Sequence, residues 1–264
     1  MSVKRSKQNR AGATKPKRAG PRVLNAQQLR STELLWNTTP RSRPGPKAAL
    51  TTDGIARAAI AIADAEGLAA VSMKRIADRF GFTTMSLYRY VPGKSELVDL
   101  MFDTAMGSAP DLDVVPGGWR PKLEVWAREI WSLVLEHPWA LEVLTRLRLP
   151  GPNELSWMEC GVRALGETGL TGAALLDALF VIVGQVRIAA QYAVVVPQTR
   201  NGMTTEQWAA GLGALLHEHG GEFPAVMTAT SAGAFDHAGD GLAFGLRCVL
   251  DGIDLLAAER ASPR

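Results

Sequence analysis

The segment Gly81–Lys94, GFTTMSLYRYVPGK, gathers Thr83, Thr84, Ser86, Tyr88 and Lys94 within fourteen residues. Serine and tyrosine hydroxyls and lysine ammonium groups are the usual positioning contacts to phosphate oxygens. A threonine can also hydrogen-bond a base edge or set its methyl against thymine, and Met85 offers an apolar contact only. The chemistry on offer is recognition of a nucleic acid. Bond breaking would need a converging nucleophile, acid–base pair or metal set. Cys160 and Cys248, the only cysteines, sit among apolar residues with helical spacing, and His137, His217, His219 and His237 show no consistent ligand arrangement. Even His217-Glu218-His219 fails, because adjacent helical residues point to different faces. The expectation is therefore a protein that is not an enzyme, with no metal site and no cofactor.

Charge distribution points the same way. Residues 1–48 hold twelve of the 29 Lys and Arg residues but only one of the 26 acidic residues, Glu33. The remaining 216 residues are left with seventeen basic and twenty-five acidic groups. A basic arm on an acidic body suggests nucleic-acid contact at one end, although a solubilising tail would carry the same composition. Lys4, Arg5, Lys7, Arg10, Lys15, Lys17, Arg18 and Arg22 could follow phosphates; Arg41, Arg43 and Lys47 could reach an adjacent minor groove. The first eighteen residues contain no apolar run of the signal-peptide kind. The most apolar segment, 173–197, is interrupted by Asp177, Gln185, Arg187 and Gln191, which argues for a buried or interfacial helix over a membrane span. A cytoplasmic protein without membrane contact is expected.

The elements that must hold Gly81–Lys94 in place read as helices. Thr51 or Thr52 can cap a helix whose Ile55, Ala58, Ala59, Ile62 and Ala63 recur at helical spacing until Gly67. Ser72 opens a shorter helix with Met73, Ile76, Ala77 and Phe80 facing inward, closed by Gly81. A third segment spans Thr83–Val91, and a fourth begins near Ser95 with Leu97, Val98, Met101 and Phe102 as its apolar stripe. Helix, short helix, glycine turn, helix is the spacing of a helix-turn-helix, whose second member lies in the major groove. Leu24–Trp36 forms a further short helix, and TTPRSRPGP over 38–46 reads as a linker. Beyond residue 118 the pattern predicts helices over 119–136, 139–148, 153–168, 172–195, 204–219 and 239–260, with 220–238 as a loop containing a helical turn. The fold class is all-α, with a basic extension and linker over 1–48, a three-helix head over 49–95, and a helical body over 96–262.

Residues 51–103, TTDGIARAAIAIADAEGLAAVSMKRIADRFGFTTMSLYRYVPGKSELVDLMFD, closely resemble the DNA-binding head of the TetR/AcrR family. In that family a leucine-tyrosine pair follows a small hydroxyl residue on the recognition helix, and a lysine follows the next turn. Ser86, Leu87, Tyr88 and Lys94 match those places. The resemblance implies that Thr83, Thr84, Met85 and Ser86 approach base edges of a double-stranded operator, while Tyr88 and Lys94 contact its backbone. It also brings in Lys74, near the start of the preceding helix, and Thr52 at a position that commonly touches phosphate. Arg89 and Tyr90 depart from the tetracycline repressor, which has tryptophan and histidine there, so the operator sequence does not carry over. Further along, GPNELSWMECGVRAL and LRCVLDGIDLL resemble the tetracycline-repressor-like regulatory domain.

That second resemblance implies a homodimer paired through the last long helices, here 172–195 and 239–260, and a small-molecule effector site inside the body. Trp126, Trp131, Trp157, Phe180, Gln185, Arg187 and Gln191 are the candidate lining residues. The three polar ones need partners within an apolar helix, and could orient a ligand or tie the two subunits together. An amphipathic or largely apolar effector suits the set better than a highly charged one. The function implied is a ligand-responsive repressor on a palindromic operator; a helical small-molecule-binding or structural dimer without specific DNA binding is the alternative.

Overall fold

The computed structural model describes residues 24–36, 50–195, 204–233 and 241–261. The basic residues at 4–22, together with Arg41, Arg43, Lys47 and His237, lie outside these, so the arm reading stays with the sequence. Every regular element among the described residues is helical: α1 Ala26–Trp36, α2 Thr52–Glu66, α3 Met73–Phe80, α4 Thr84–Leu87, α5 Lys94–Met106, α6 Trp119–Glu136, α7 Ala140–Leu144, α8 Pro152–Gly166, α9 Ala173–Val195, α10 Thr205–His219, α11 Pro224–Ser231 and α12 Gly241–Ala261, with short 3-10 turns between some of them.

The all-α expectation holds, with shorter pieces in places. The segment expected over 139–148 is helical only at Ala140–Leu144, and 220–238 contains the two-turn helix α11. The head is built on α2, whose Ile55, Ala58, Ala59 and Ile62 are buried at the spacing that first marked them. Thr51 caps α2 by accepting from the Gly54 amide at 3.0 Å. Thr52 is thus the first helical residue and not the cap. Ile76, Ala77 and Leu87 are buried as well, but Phe80 is 37% exposed. Phe80 sits on the last turn of α3, where Gly81 ends the helix before its ring is covered.

Helix α5 connects head to body, packing on α1, α2, α7 and α8. The body centres on α6, α8 and α9, with α12 laid along α9. Trp126, Leu165, Leu179, Ile182 and Leu250 are among its fully buried side chains. Helix α9 is long and apolar enough to cross a membrane by length and composition, with a mean hydropathy of 1.8. One side of it, through Leu179, Ile182, Val186 and Ala190, is buried in the body, whereas Phe180, Val181, Ile188 and Tyr192 are exposed on the other.

Candidate nucleic-acid interface and the head–body joint

The turn before the recognition segment is set by Gly81, whose φ of 68° lies in the left-handed region that favours glycine. Two hydrogen bonds close it, from Phe82 N to Ala77 O at 3.0 Å and from Gly81 N to Asp78 O at 3.1 Å. This is a Schellman ending, which satisfies carbonyls that α3 would otherwise leave open. Thr83 then caps α4. Its Oγ1 accepts from the Ser86 amide at 3.3 Å and lies 3.1 Å from Ser86 Oγ.

The recognition segment is shorter than Thr83–Val91. Regular α-helix covers Thr84–Leu87, and the chain continues as a tight turn with Tyr90 N bonded to Leu87 O at 2.9 Å. Leu87 and Val91 are fully buried and pin this turn to the head. Outward-facing side chains follow from that anchoring: Met85 is 72% exposed and Tyr88 45%. Thr84 is half-buried. The hydroxyls of Thr83 and Ser86 are engaged with each other, so Thr84, Met85 and Tyr88 are the freest of the expected contact residues on this segment.

Two cations flank it. Lys74 is exposed in the first turn of α3, and Lys94 is exposed as the first residue of α5. Neither has a carboxylate within ion-pair distance among the described residues. Arg75, by contrast, is tied to Glu66 at the end of α2, with Nη1 2.7 Å from Oε2. Hydrogen bonding to Arg75 holds the Glu66 carboxyl below its ordinary range. Lys94 stands where a helix N-terminus presents free amides and a positive dipole end, an arrangement that attracts an anion. Thr52, half-buried at the start of α2, has its own hydroxyl free of the cap.

Where the head meets the body, Asp64 of α2 accepts from His137 Nδ1 at 2.8 Å and Trp139 Nε1 at 2.7 Å. Beside this joint lies a cleft of about 760 Å³, bounded by the end of α2, by α7 and by α9. Trp139, Leu141 and Val194 give it apolar wall; Glu142, Thr145, Arg187 and Gln191 give it polar groups. Asp64 and His137 had no sequence signal as a pair, because 73 residues separate them.

The tetracyclin repressor-like C-terminal domain matches residues 110–256, and the N-terminal domain of bacterial regulatory proteins of the tetR family matches residues 55–101. The chain belongs to the TetR family. It is 40% identical over 256 residues to the HTH-type transcriptional repressor DrrR1 of Streptomyces coeruleorubidus, covering 95% of this chain and 92% of that one. Its structure resembles that of ActR of Streptomyces coelicolor without ligand, with a TM-score of 0.69, 28% identity, and coverage of 81% of this chain and 99% of ActR. ActR in complex with actinorhodin matches nearly as well, with a TM-score of 0.68, 28% identity and coverage of 80% and 99%. This TetR-family chain is accordingly a DNA-binding transcriptional regulator that works as a homodimer.

The TetR-family body does not bring the seven candidate lining residues together. Arg187 and Gln191 line the cleft at the joint. Trp126 and Trp157 are buried with satisfied indoles, Trp126 donating to Trp157 O at 3.0 Å and Trp157 to Met106 O at 3.1 Å. Those two rings brace α6, α8 and the end of α5. Trp131 is half-buried on α6, and its indole nitrogen is buried without a partner. Gln185 donates to Gly241 O at 3.1 Å and so joins α9 to α12. Phe180 is 56% exposed on the outer side of α9. Among the described residues no group of His, Cys, Asp and Glu is placed to hold a metal ion. Cys160 is buried with its thiol directed to Pro110 O, and burial pushes the thiol pKa up.

Proposed function

We propose that this regulator is a repressor that binds a two-fold symmetric operator as a homodimer and leaves it when a small molecule occupies the body. The observation that carries the DNA half is the pair of exposed residues Met85 and Tyr88 with half-buried Thr84, between Lys74 and Lys94 and held out by buried Leu87. Thr84 and Met85, with Thr83 and Ser86 at the margin, read base edges. Tyr88, Lys94, Lys74 and Thr52 contact the backbone. A recognition segment this short reads few base pairs, so two copies on a palindrome supply the rest. In the three-part division, the extension and linker occupy 1–48, the DNA-binding head 49–95, and the effector and dimerisation body 96–262.

The effector half is supported by the joint cleft. Its mixed lining suits an amphipathic molecule with an extended apolar surface and a few hydrogen-bonding groups. The similarity to ActR, solved in complex with actinorhodin, fits a small-molecule effector. A ligand between α2, α7 and α9 has differential contacts with two head placements, which is what a shift of conformational population requires. The basic arm adds phosphate contacts, and its place of action is the cytoplasm with the DNA.

Run-off transcription from the genomic fragment that the protein selects tests the repressor reading. Adding protein should lower the transcript, and a rise would make it an activator. Arg187→Ala and Gln191→Ala proteins should still repress but need more effector for release. Unchanged effector response in both would move the effector site away from the cleft.

A further inference from the structure

Glu96, Asp99 and Asp103 recur on α5 at three- and four-residue steps, so they lie along one face of the helix. All three are buried, within an unbroken buried run from Glu96 to Asp103. Burial pushes the Asp99 and Asp103 carboxyls above their ordinary pKa. Helix α5, a lever in the sense that it joins head to body, carries this acidic stripe inside the protein and needs partners for every carboxylate.

The partners come from two directions. At its far end, Asp103 Oδ1 accepts from the Glu154 amide at 3.0 Å, and Asn153 Nδ2 donates to Asp103 O at 2.8 Å, tying α5 to the start of α8. Gly151 leaves the necessary room, since a Cβ there would lie 2.2 Å from Asp103 Oδ1. The near end is held by α1. Gln27 Nε2 donates to Ser95 Oγ at 2.6 Å, Arg30 Nε lies 3.0 Å from Glu96 Oε1, and Ser31 Oγ donates to Asp99 Oδ2 at 2.7 Å. Leu35 is buried, and Trp36 Nε1 donates to Pro150 O at 3.2 Å in the loop before α8. The pairing order 27 with 95, 30 with 96 and 31 with 99 makes α1 parallel to α5. Helix α1 therefore runs from the Lys94 end of the lever to the body.

We propose that α1 is a clamp on α5, in which Arg30 and Ser31 act through Glu96 and Asp99 as positioning residues for operator binding. The clamp rests on the DNA-binding reading above and adds to it the element that fixes where each head stands. Sliding α5 by a turn would take Asp99 from Ser31 and leave a buried carboxylate without its donor, so the directional pairs favour one placement. An unclamped lever samples several placements, and only the fraction with the right head separation fits a two-fold operator.

The test uses the full-length homodimer and the genomic DNA fragment that it selects. Combined Arg30→Glu and Ser31→Ala substitutions should weaken binding about five- to twentyfold, whereas Arg30→Lys should stay within about twofold. Ser31→Ala alone removes no charge, so its loss of affinity should leave the salt dependence unchanged, unlike loss of a phosphate contact. A DNA-free readout accompanies these: the distance between spin labels on Asp78→Cys in the two subunits, in a Cys248→Ser background. That distance should be narrowly distributed with the clamp intact and broad in the double variant, with the Arg30→Lys protein keeping the narrow form. Folded dimers with unchanged affinity, or with weaker binding but an unchanged distance distribution, would overturn the clamp. If the unsubstituted protein selects no fragment, the DNA-binding reading fails, and an unbroadened distance distribution would separately refute the clamp.

Discussion

The head and the body of this regulator place polar and apolar side chains in opposite ways. In the head, the apolar residues Ile55, Ile62, Ile76 and Leu87 are inside, and hydroxyls and cations from Lys74 to Lys94 face out. In the body, carboxylates of α5 are inside, while Phe180, Val181, Ile188, Phe244, Leu255 and Leu256 face out along α9 and α12. An outward polar surface fits a hydrated polyanion, and an outward apolar surface fits a second copy of the same chain. Buried carboxylates serve neither contact. Their directional hydrogen bonds instead restrict where α5 can lie, which makes the joint the place where the two surfaces can be coupled.

The largest effect should come from breaking the body's apolar surface. Phe180→Glu combined with Leu256→Glu would desolvate two charges on pairing, so light scattering should show monomers, and operator affinity should fall by about a hundredfold or more. A stable dimer in that variant would place the interface elsewhere. Leu87→Ala attacks the inside of the head and should cost about 2–5 kcal/mol in denaturant unfolding, with the head losing structure first. Equal loss across head and body would show that the two regions unfold as one unit.

Smaller effects separate roles on the outer face of the head. Lys94→Ala should weaken binding to all sequences alike and reduce the slope of log affinity against log salt by about one. Thr84→Ala should instead alter sequence preference, worth about 1–3 kcal/mol at one base pair. Equal weakening on every sequence would give Thr84 a backbone role instead. Smallest of all, Ser31→Ala should raise the Asp99 pKa further, because the Ser31 hydrogen bond is the largest of the effects opposing burial, ahead of the charges of Arg148 and Arg146. The sign follows: a carboxyl raised in the folded state costs stability as pH climbs from its unfolded to its folded pKa. Stability of the Ser31→Ala protein should therefore fall over a wider pH range, as carboxyl-carbon NMR and unfolding at several pH values can show.

The head was legible because its determinants are local. Gly67 and Gly81 end helices, and apolar residues at helical spacing mark the buried side. Phe80 escaped that logic because periodicity describes a helix face but not where the neighbouring helices stop covering it. The recognition segment came out short because residues 88–90 form a turn that the amino-acid types do not distinguish from helix. In the body, aromatic spacing located Trp126 and Trp157 as buried but could not tell a ligand wall from rings satisfied by carbonyls 31 and 51 residues away. The acidic stripe was illegible for a sharper reason. Glu96 and Asp99 look like surface residues until Arg30 and Ser31, more than sixty positions earlier, are brought over them.

Selection of genomic fragments by purified full-length dimer, followed by footprinting, bears most directly on the claim that Thr84, Met85 and Tyr88 form a DNA-reading surface. A two-fold symmetric protected site is predicted, with half-sites separated by about one helical turn or a multiple of it, and with protection lost when Tyr88 is replaced. A folded dimer that selects no fragment at moderate salt would contradict the claim.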